Sequence, residues 1–387
     1  MKRILILPFL SASTLWGQFL PDIPDRLNYV GLFNGTSQYF SKTSPSNMDL
    51  NGSELITDPG FESGVWTDTA DVAVLEQTTA QKHSGTYSML LMPRATSLNA
   101  IARSPNITNA TVNGTTPKVT AEFWVYAPTG NTSKTAIYRI VNQSNVNLAL
   151  GSTAVTGNTW TKLVINFQLP GTQSGVKLFV GLSATSALTD SLYVDDVSLT
   201  QAYDGIVSLE AKTTSGSTQT LAGSSKSNGS RLRIWQNTAT ASVTITDGTT
   251  SVTATNSATV NDGRPHKWDV AWSRTGNLTL YIDGVSGTGR SITGIGAITV
   301  DTLWVSRDQD GNYFSGQIGE KLRARYPSLP SDIASWIAYA NTQRFIPEPP
   351  GGGTTVLRLF GKENSAYDQS GTQGVLTNTG STPIIPR

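Results

Sequence analysis

The sequence predicts an all-β protein built of sandwiches, and three features carry that prediction. Charged residues make up only 14 % of the 387 residues, against about a quarter in an average soluble domain. Thr, Ser, Asn and Gly fill the difference, which favours strands and turns over helices. Short apolar–polar alternations separated by Gly, Asn or Asp recur along the chain, the period of half-buried strands. A hydrophobic share of 37 % suits sandwiches, in which every second strand residue faces inward.

At the N-terminus, Met1-Lys2-Arg3 precedes an apolar run from Ile4 to Leu10. Two readings stay open: a signal peptide with Ser11-Ala12-Ser13 as its cleavage site, or an apolar anchor docked on a partner. The run is too short to span a bilayer. Further on, Val119, Ala121, Phe123, Val125 and Ala127 share one face of a strand, and Thr120, Glu122, Trp124 and Tyr126 the other. Strands are also predicted at 178–182, 191–199, 231–236, 243–246, 267–272 and 278–282, the last running into Asp283-Gly284, a tight-turn signal. The one convincing helix covers 331–340, with Ser331 as N-cap and Ile333, Trp336, Ile337 and Ala340 as its apolar stripe. Residues 347–353 read as a Pro/Gly linker. The tail, 354–387, is too short for its own core and is expected to add a strand to a neighbouring sheet, in cis or on a partner.

Composition also excludes. The net charge is +1 and no basic cluster with interleaved aromatics occurs, so nothing points to nucleic acid. With no cysteine, disulfide frameworks, thiolate metal sites and cysteine nucleophiles are ruled out. Of the two histidines, neither lies near a Gly-X-Ser-X-Gly elbow, and no strand carries the paired carboxylates that flank a scissile glycosidic bond. His83, in a Ser-Gly turn, and His266, beside a Trp, therefore read as structural, and the chain as non-catalytic.

Sugars are gripped by aromatic faces together with a few amide and carboxylate hydrogen bonds. Trp66, Trp124 and Tyr126 are the candidate platform, with Glu122, Asn142 and Gln143 as polar partners. Trp124 and Tyr126 share a strand face; the competing reading packs that face against a loop or a second sandwich. Trp235, Trp268, Trp272 and Trp304 read mostly as core, and the polar stretch 307–312 as a rim loop able to hold calcium or a ligand.

Two family resemblances sharpen this reading. Leu55-Ile-Thr-Asp-Pro-Gly-Phe-Glu-Ser-Gly64 with Trp66, His83-Ser-Gly-Thr-Tyr-Ser-Met-Leu-Leu91, Trp160-Thr-Lys-Leu-Val-Ile-Asn-Phe167 and Leu192-Tyr-Val-Asp-Asp-Val-Ser-Leu199 resemble, in order, the signatures of carbohydrate-binding modules appended to xylanases and cellulases. Gly263-Arg-Pro-His-Lys-Trp-Asp-Val-Ala-Trp272, Asn277-Leu-Thr-Leu-Tyr-Ile-Asp-Gly284 and Phe314-Ser-Gly-Gln-Ile-Gly319 resemble a laminin-G/concanavalin-A-like lectin domain. The opening strand of that second family is matched far upstream, at Phe33-Asn-Gly-Thr-Ser-Gln-Tyr-Phe40. The resemblances imply two jelly-roll sandwiches, one inserted into the other, plus a short C-terminal β tail. The expected divisions are 1–26 as the N-terminal segment, 27–52 plus 203–346 as the host, and 53–202 as the insert. The first resemblance also implies a structural Ca2+ tying the first strand to the last, with Glu62 and Asp196 in the matching motifs and Asp58 and Asp195 beside them. Turn-capping is the alternative for these four. For context, the expectation is a bacteriophage virion-surface adhesin, in an oligomeric assembly, that attaches to glycans and joins partner proteins through its two termini. The alternatives are a secreted or cell-surface bacterial glycan-binding protein and a structural cement protein without sugar affinity.

Overall fold

The computed structural model describes residues 29 to 347 except 38, 44–49, 65, 69–71, 97–98, 105–116, 133, 172, 174, 184–186, 327 and 343–345, together with strands at 354–359, 377–379 and 384–386. The N-terminal segment 1–26 and most of the Pro/Gly linker lie outside the described residues.

In chain order the strands are β1 (Tyr29–Asn34) and β2 (Tyr39–Thr43), then β3 (Asn51–Glu54), β4 (Thr67–Asp68), β5 (Val72–Thr78), β6 (Ser88–Pro93), β7 (Ala100–Arg103), β8 (Lys118–Tyr126), β9 (Thr135–Val141), β10 (Asn147–Ala154), β11 (Thr161–Gln168), β12 (Lys177–Leu182) and β13 (Leu192–Ala202). Next come β14 (Asp204–Lys212), β15 (Gln219–Ser225), β16 (Ser230–Asn237), β17 (Thr240–Asp247), β18 (Ser251–Asn256), β19 (Pro265–Trp272), β20 (Asn277–Ile282), β21 (Val285–Ser286), β22 (Arg290–Ser291), β23 (Thr302–Val305) and β24 (Ser315–Tyr326). The chain ends with α1 (Ile333–Ala340), β25 (Thr354–Leu359), β26 (Thr377–Thr379) and β27 (Ile384–Pro386).

These strands form four antiparallel sheets paired as two β-sandwiches, so the fold is all-β. One sandwich joins the six-stranded sheet β11-β8-β13-β6-β5, with β3 on β13, to the five-stranded sheet β10-β9-β12-β7-β4. Its core holds Phe61, Trp66, Phe123, Val125, Leu178 and Val180. The predicted alternation of β8 is realised: Val119, Ala121, Phe123, Val125 and Ala127 are buried, while Trp124 and Tyr126 are half-exposed. The other sandwich joins β21-β20-β19-β14-β24-β1-β27 to β18-β17-β16-β15-β23-β2-β26. Its core includes Leu209, Ile245, Trp268, Trp272, Leu280 and Phe314. Asp283 and Gly284 both take positive φ, 50° and 80°, as a two-residue hairpin between β20 and β21 requires.

Strands from both ends of the sequence meet in the second sandwich. β1 pairs with β24, Gly31 opposite Ile318, and β2 with β23, Phe40 opposite Val305. The chain crosses between sandwiches twice, at neighbouring points. Leu50 lies in the core of one sandwich and Ile56 in that of the other, and the Tyr203 N–H donates to the Leu50 carbonyl at 2.8 Å.

The helix begins at Ile333, with Asp332 rather than Ser331 at the N-cap and no side-chain capping bond; its buried stripe is Ile333, Trp336, Ile337 and Ala340, as the period implies. The tail pairs in cis: β25 adds to β24, β26 to β2 and β27 to β1. The last two strands fall in sequence that reads as turn, because three-residue strands carry almost no periodic signal. Trp235 and Trp304 depart from the core reading. Both are half-exposed on an outer sheet face, with the Arg233 guanidinium 4.8 Å from one ring and the Arg307 guanidinium 6.0 Å from the other.

The two sandwiches are joined by buried polar groups. Lys118 of β8 pairs with Asp204 of β14 and donates to Ser273 Oγ at 2.8 Å. Lys162 of β11 lies 2.9 Å from Glu122 and 3.2 Å from Asp247 of β17. Arg274, with 0 % exposure, follows β19 and reaches across: Nη2 donates to the Ile295 and Gly296 carbonyls at 2.8 and 2.7 Å, and to Thr120 Oγ1 and Asn166 Oδ1 at 3.2 and 3.3 Å. Burial lowers its pKa to about 10, still far above neutrality, with Glu122, Asp204 and Asp247 favouring the charge.

Candidate functional site

The residues expected to grip sugar do not converge. Trp66 is 5 % exposed, its ring 5.5 Å from Phe61 in the core, so it offers no face to a ligand. The adjacent loop explains this: Thr67 starts β4 facing solvent, which turns its neighbour inward. Glu122 is held by Lys162 at the junction between sandwiches. Asn142 and Gln143 sit in the β9–β10 hairpin of the opposite sheet, where Asn142 Oδ1 accepts the Val146 N–H at 2.9 Å.

Trp124 and Tyr126 do share a face, the outer one of the six-stranded sheet, and Tyr193 and Trp160 join them. The Tyr126 ring lies 5.8 Å from Tyr193 and 5.6 Å from Trp160. Yet the free face of Trp124 is taken by His83, stacked at 3.8 Å and 16° and fixed by Asp196 Oδ2 at 2.6 Å from Nδ1. The cluster is packed largely against itself.

Three of the four acidic residues implied as calcium ligands turn to backbone N–H groups, and Asp196 instead meets the His83 ring and accepts from the Ser84 hydroxyl, both at 2.6 Å. Asp58 accepts from the N–H groups of Glu62 and Ser63 at 2.7 and 2.9 Å, and Glu62 Oε1 from those of Thr86 and Tyr87 at 2.8 and 3.1 Å. Asp195 Oδ2 accepts from His83 and Ser84, and its Oδ1 from the Asp196 N–H at 2.8 Å. These bonds hold the Asp58 pKa below its usual value against the opposing effect of burial, whereas burial wins at Asp195 and raises it. Gly85 is needed here: its φ is +59° and a Cβ would stand 2.2 Å from Glu62 Oε1. The carboxylates thus staple loop 58–64, turn 83–87 and the bulge in β13 together. Among the described residues no three His, Cys, Asp or Glu side chains gather as a metal site. Asp308 behaves likewise in the 307–312 loop, accepting from Asn312 N and Asp310 N at 3.0 and 2.9 Å and pairing with Arg233 at 2.8 Å.

His266 is clamped between carboxylates, Nδ1 2.7 Å from Asp283 and Nε2 3.0 Å from Asp262. Burial disfavours its charged form, but the two hydrogen bonds outweigh that and raise its pKa above 6.5. Its stabilising contribution is therefore full below 6.5 and fades as pH rises through the raised value. Melting curves of the protein and of His266→Gln should differ most at the acid end and converge with rising pH; a gap that holds constant contradicts the clamp.

A groove of about 310 Å³ opens instead on the outer face of the five-stranded sheet. Its walls are Ile101, Ile137, Leu150 and Phe179, and its polar groups belong to Arg139, Asn99 and Ser152. Leu150 is 70 % exposed at the rim. The Arg139 guanidinium carbon lies 4.3 Å from the centroid of Phe179. Among the described residues that line it there is no Asp or Glu. Sequence reading missed this site, although one signal was present: β9 (Thr-Ala-Ile-Tyr-Arg-Ile-Val) is apolar on both faces, and a strand of that kind needs cover on both sides. Among the described residues, no helix is long and apolar enough to cross a membrane.

Among solved structures, the chain is similar to an arabinose-bound α-L-arabinofuranosidase at 15 % identity, covering 38 % of this chain and 26 % of that one, with a TM-score of 0.33. It thus spans about a quarter of that protein's length. It is also similar to the CBM22-1 xylan-binding domain from Paenibacillus barcinonensis, at 18 % identity over 39 % of this chain and 96 % of that one, TM-score 0.29. A third similar structure is domains LG4-5 of the mouse laminin alpha1 chain, at 12 % identity over 59 % and 86 %, TM-score 0.27. No curated protein matches the chain. Residues 53–187, which contain the whole groove, match the family model described as a carbohydrate binding domain.

Proposed function

We infer that this protein binds glycans without transforming them, through the groove on the five-stranded sheet of a carbohydrate-binding sandwich inserted into a lectin-like one. The observation that carries this reading is the groove itself, a concavity of about 310 Å³ inside the segment matched by the carbohydrate binding domain. Its mixture of apolar walls with a few polar groups is the usual make-up of a ligand site. The family match favours a secreted or cell-surface glycan-binding protein over a virion adhesin.

A second reading places the sugar on the aromatic strip, because Trp124, Tyr126, Trp160 and Tyr193 are half-exposed side by side. A polysaccharide array probed with the full chain separates the two. Leu150→Asp, at an exposed position, should cut retention on the bound polymer about tenfold or more, since a charge then enters the apolar wall. Trp160→Ala should leave retention unchanged. The reverse pattern moves the site to the strip, and no retention on any polysaccharide overturns the function.

A further inference from the structure

The geometry points to an acidic glycan, one bearing carboxylate groups, as the occupant of this groove, with Arg139 as its anchor. This rests on the glycan-binding reading above and specifies its ligand.

The argument starts from register. Leu150 pairs with Arg139, Arg139 with Phe179, Phe179 with Arg103 and Arg103 with Thr67, so one row of side chains crosses β10, β9, β12, β7 and β4 on the outer face. In that row a single aromatic ring stands between two arginines. Lys177, two residues before Phe179, points to the same side and donates to Asn145 Oδ1 at 2.9 Å. Strands β7, β9, β10 and β12 contain no Asp or Glu at all. These four strands thus place three cations on the outer face and no carboxylate beside them.

Arg139 is held in a particular way. Its guanidinium carbon lies 4.3 Å from the centre of the Phe179 ring, a contact that holds the guanidinium against the ring. Its Nε is buried and has no hydrogen-bond partner among the described residues. A buried donor of this kind is costly unless something satisfies it. The walls of Ile101, Ile137 and Leu150 lower the local dielectric, which strengthens an ion pair formed there.

The chemistry then separates ligand classes. Neutral sugars present hydroxyls, which are well served by carboxylate and amide acceptors and an open aromatic platform. Beside the Asn99 amide and the Ser152 hydroxyl, this groove offers a donor-only guanidinium and a ring already covered by it. A planar fork of N–H groups matches a carboxylate bidentately, and the weakly hydrated guanidinium loses little on entering a half-buried pair. A uronate residue supplies the missing acceptor and the missing negative charge together, with its ring carbons against the aliphatic walls.

Affinity electrophoresis and calorimetry on the full chain test this with three probes: polygalacturonate, the same polymer with its carboxyls reduced to alcohols, and dextran sulfate. Polygalacturonate should bind, weaken with added salt, and lose about tenfold or more in affinity on carboxyl reduction. Arg139→Ala should abolish the preference for the acid polymer, and Arg139→Lys should restore it only in part, because the bidentate geometry is gone. Unchanged melting of these variants shows that the loss is not unfolding. Dextran sulfate bound as tightly as polygalacturonate, and lost in Arg139→Ala, keeps an anionic site at Arg139 but overturns its selection of carboxylate. Equal affinity for the acid and reduced polymers overturns the acidic ligand while leaving glycan binding intact, as does an Arg139→Ala variant that binds polygalacturonate normally. Failure to bind any of the three, or any neutral polysaccharide, overturns both.

Discussion

Replacing Arg274 by alanine should destabilise the protein by about 3–5 kcal/mol, the usual cost of removing one member of a buried charged network. The side chain is fully buried and donates to groups on both sandwiches: the Ile295 and Gly296 carbonyls on one side, Thr120 and Asn166 on the other. Its loss strands those acceptors and leaves Glu122, Asp204 and Asp247 with fewer positive neighbours. The sandwiches then lose a main tie between them. Calorimetry should show the difference in kind as well as size: one cooperative transition for the intact chain, two for Arg274→Ala. Arg274→Met should recover part of the loss, since an apolar chain of similar length fills the space without a buried charge. A single unshifted transition in Arg274→Ala would mean that the sandwiches are coupled elsewhere.

Trp66→Ala should also cost about 3–5 kcal/mol, as expected for emptying a large core site. At 5 % exposure, with its ring against Phe61, the indole fills the sandwich interior rather than a sugar site. Trp66→Phe should recover most of the stability. Both variants, assayed below their melting points, should bind glycan as the parent does. Loss of binding in a fully folded Trp66→Phe contradicts the core assignment.

Much of the fold was legible because it is written in alternation. β8 shows why: five inward residues in strict period two are all buried. The Asp283-Gly284 turn was legible for a different reason, since positive φ at two successive positions selects those residues. The site was far less legible. Trp124 and Tyr126 do lie side by side on the predicted face, but nothing local to β8 says that His83, far upstream in the sequence, will cover one of them. Trp66 follows a turn that could orient it either way. Asp58, Glu62, Asp195 and Asp196 sit in the expected motifs, yet whether a carboxylate meets a cation or a backbone N–H depends on three loops folding together. The groove is least legible of all. Ile137, Arg139, Phe179 and Leu150 come from three strands, and each alone reads as an ordinary outward position. Only the sheet order sets Leu150, Arg139 and Phe179 in one row, with Ile137 in the next.

Hydrogen exchange measured with and without a bound polysaccharide tests the central claim most directly. Slowed exchange confined to β9, β10 and β12, around Ile137, Arg139, Leu150 and Phe179, is the expected result. Slowing confined to β8 and β11, around Trp124 and Trp160, would contradict it.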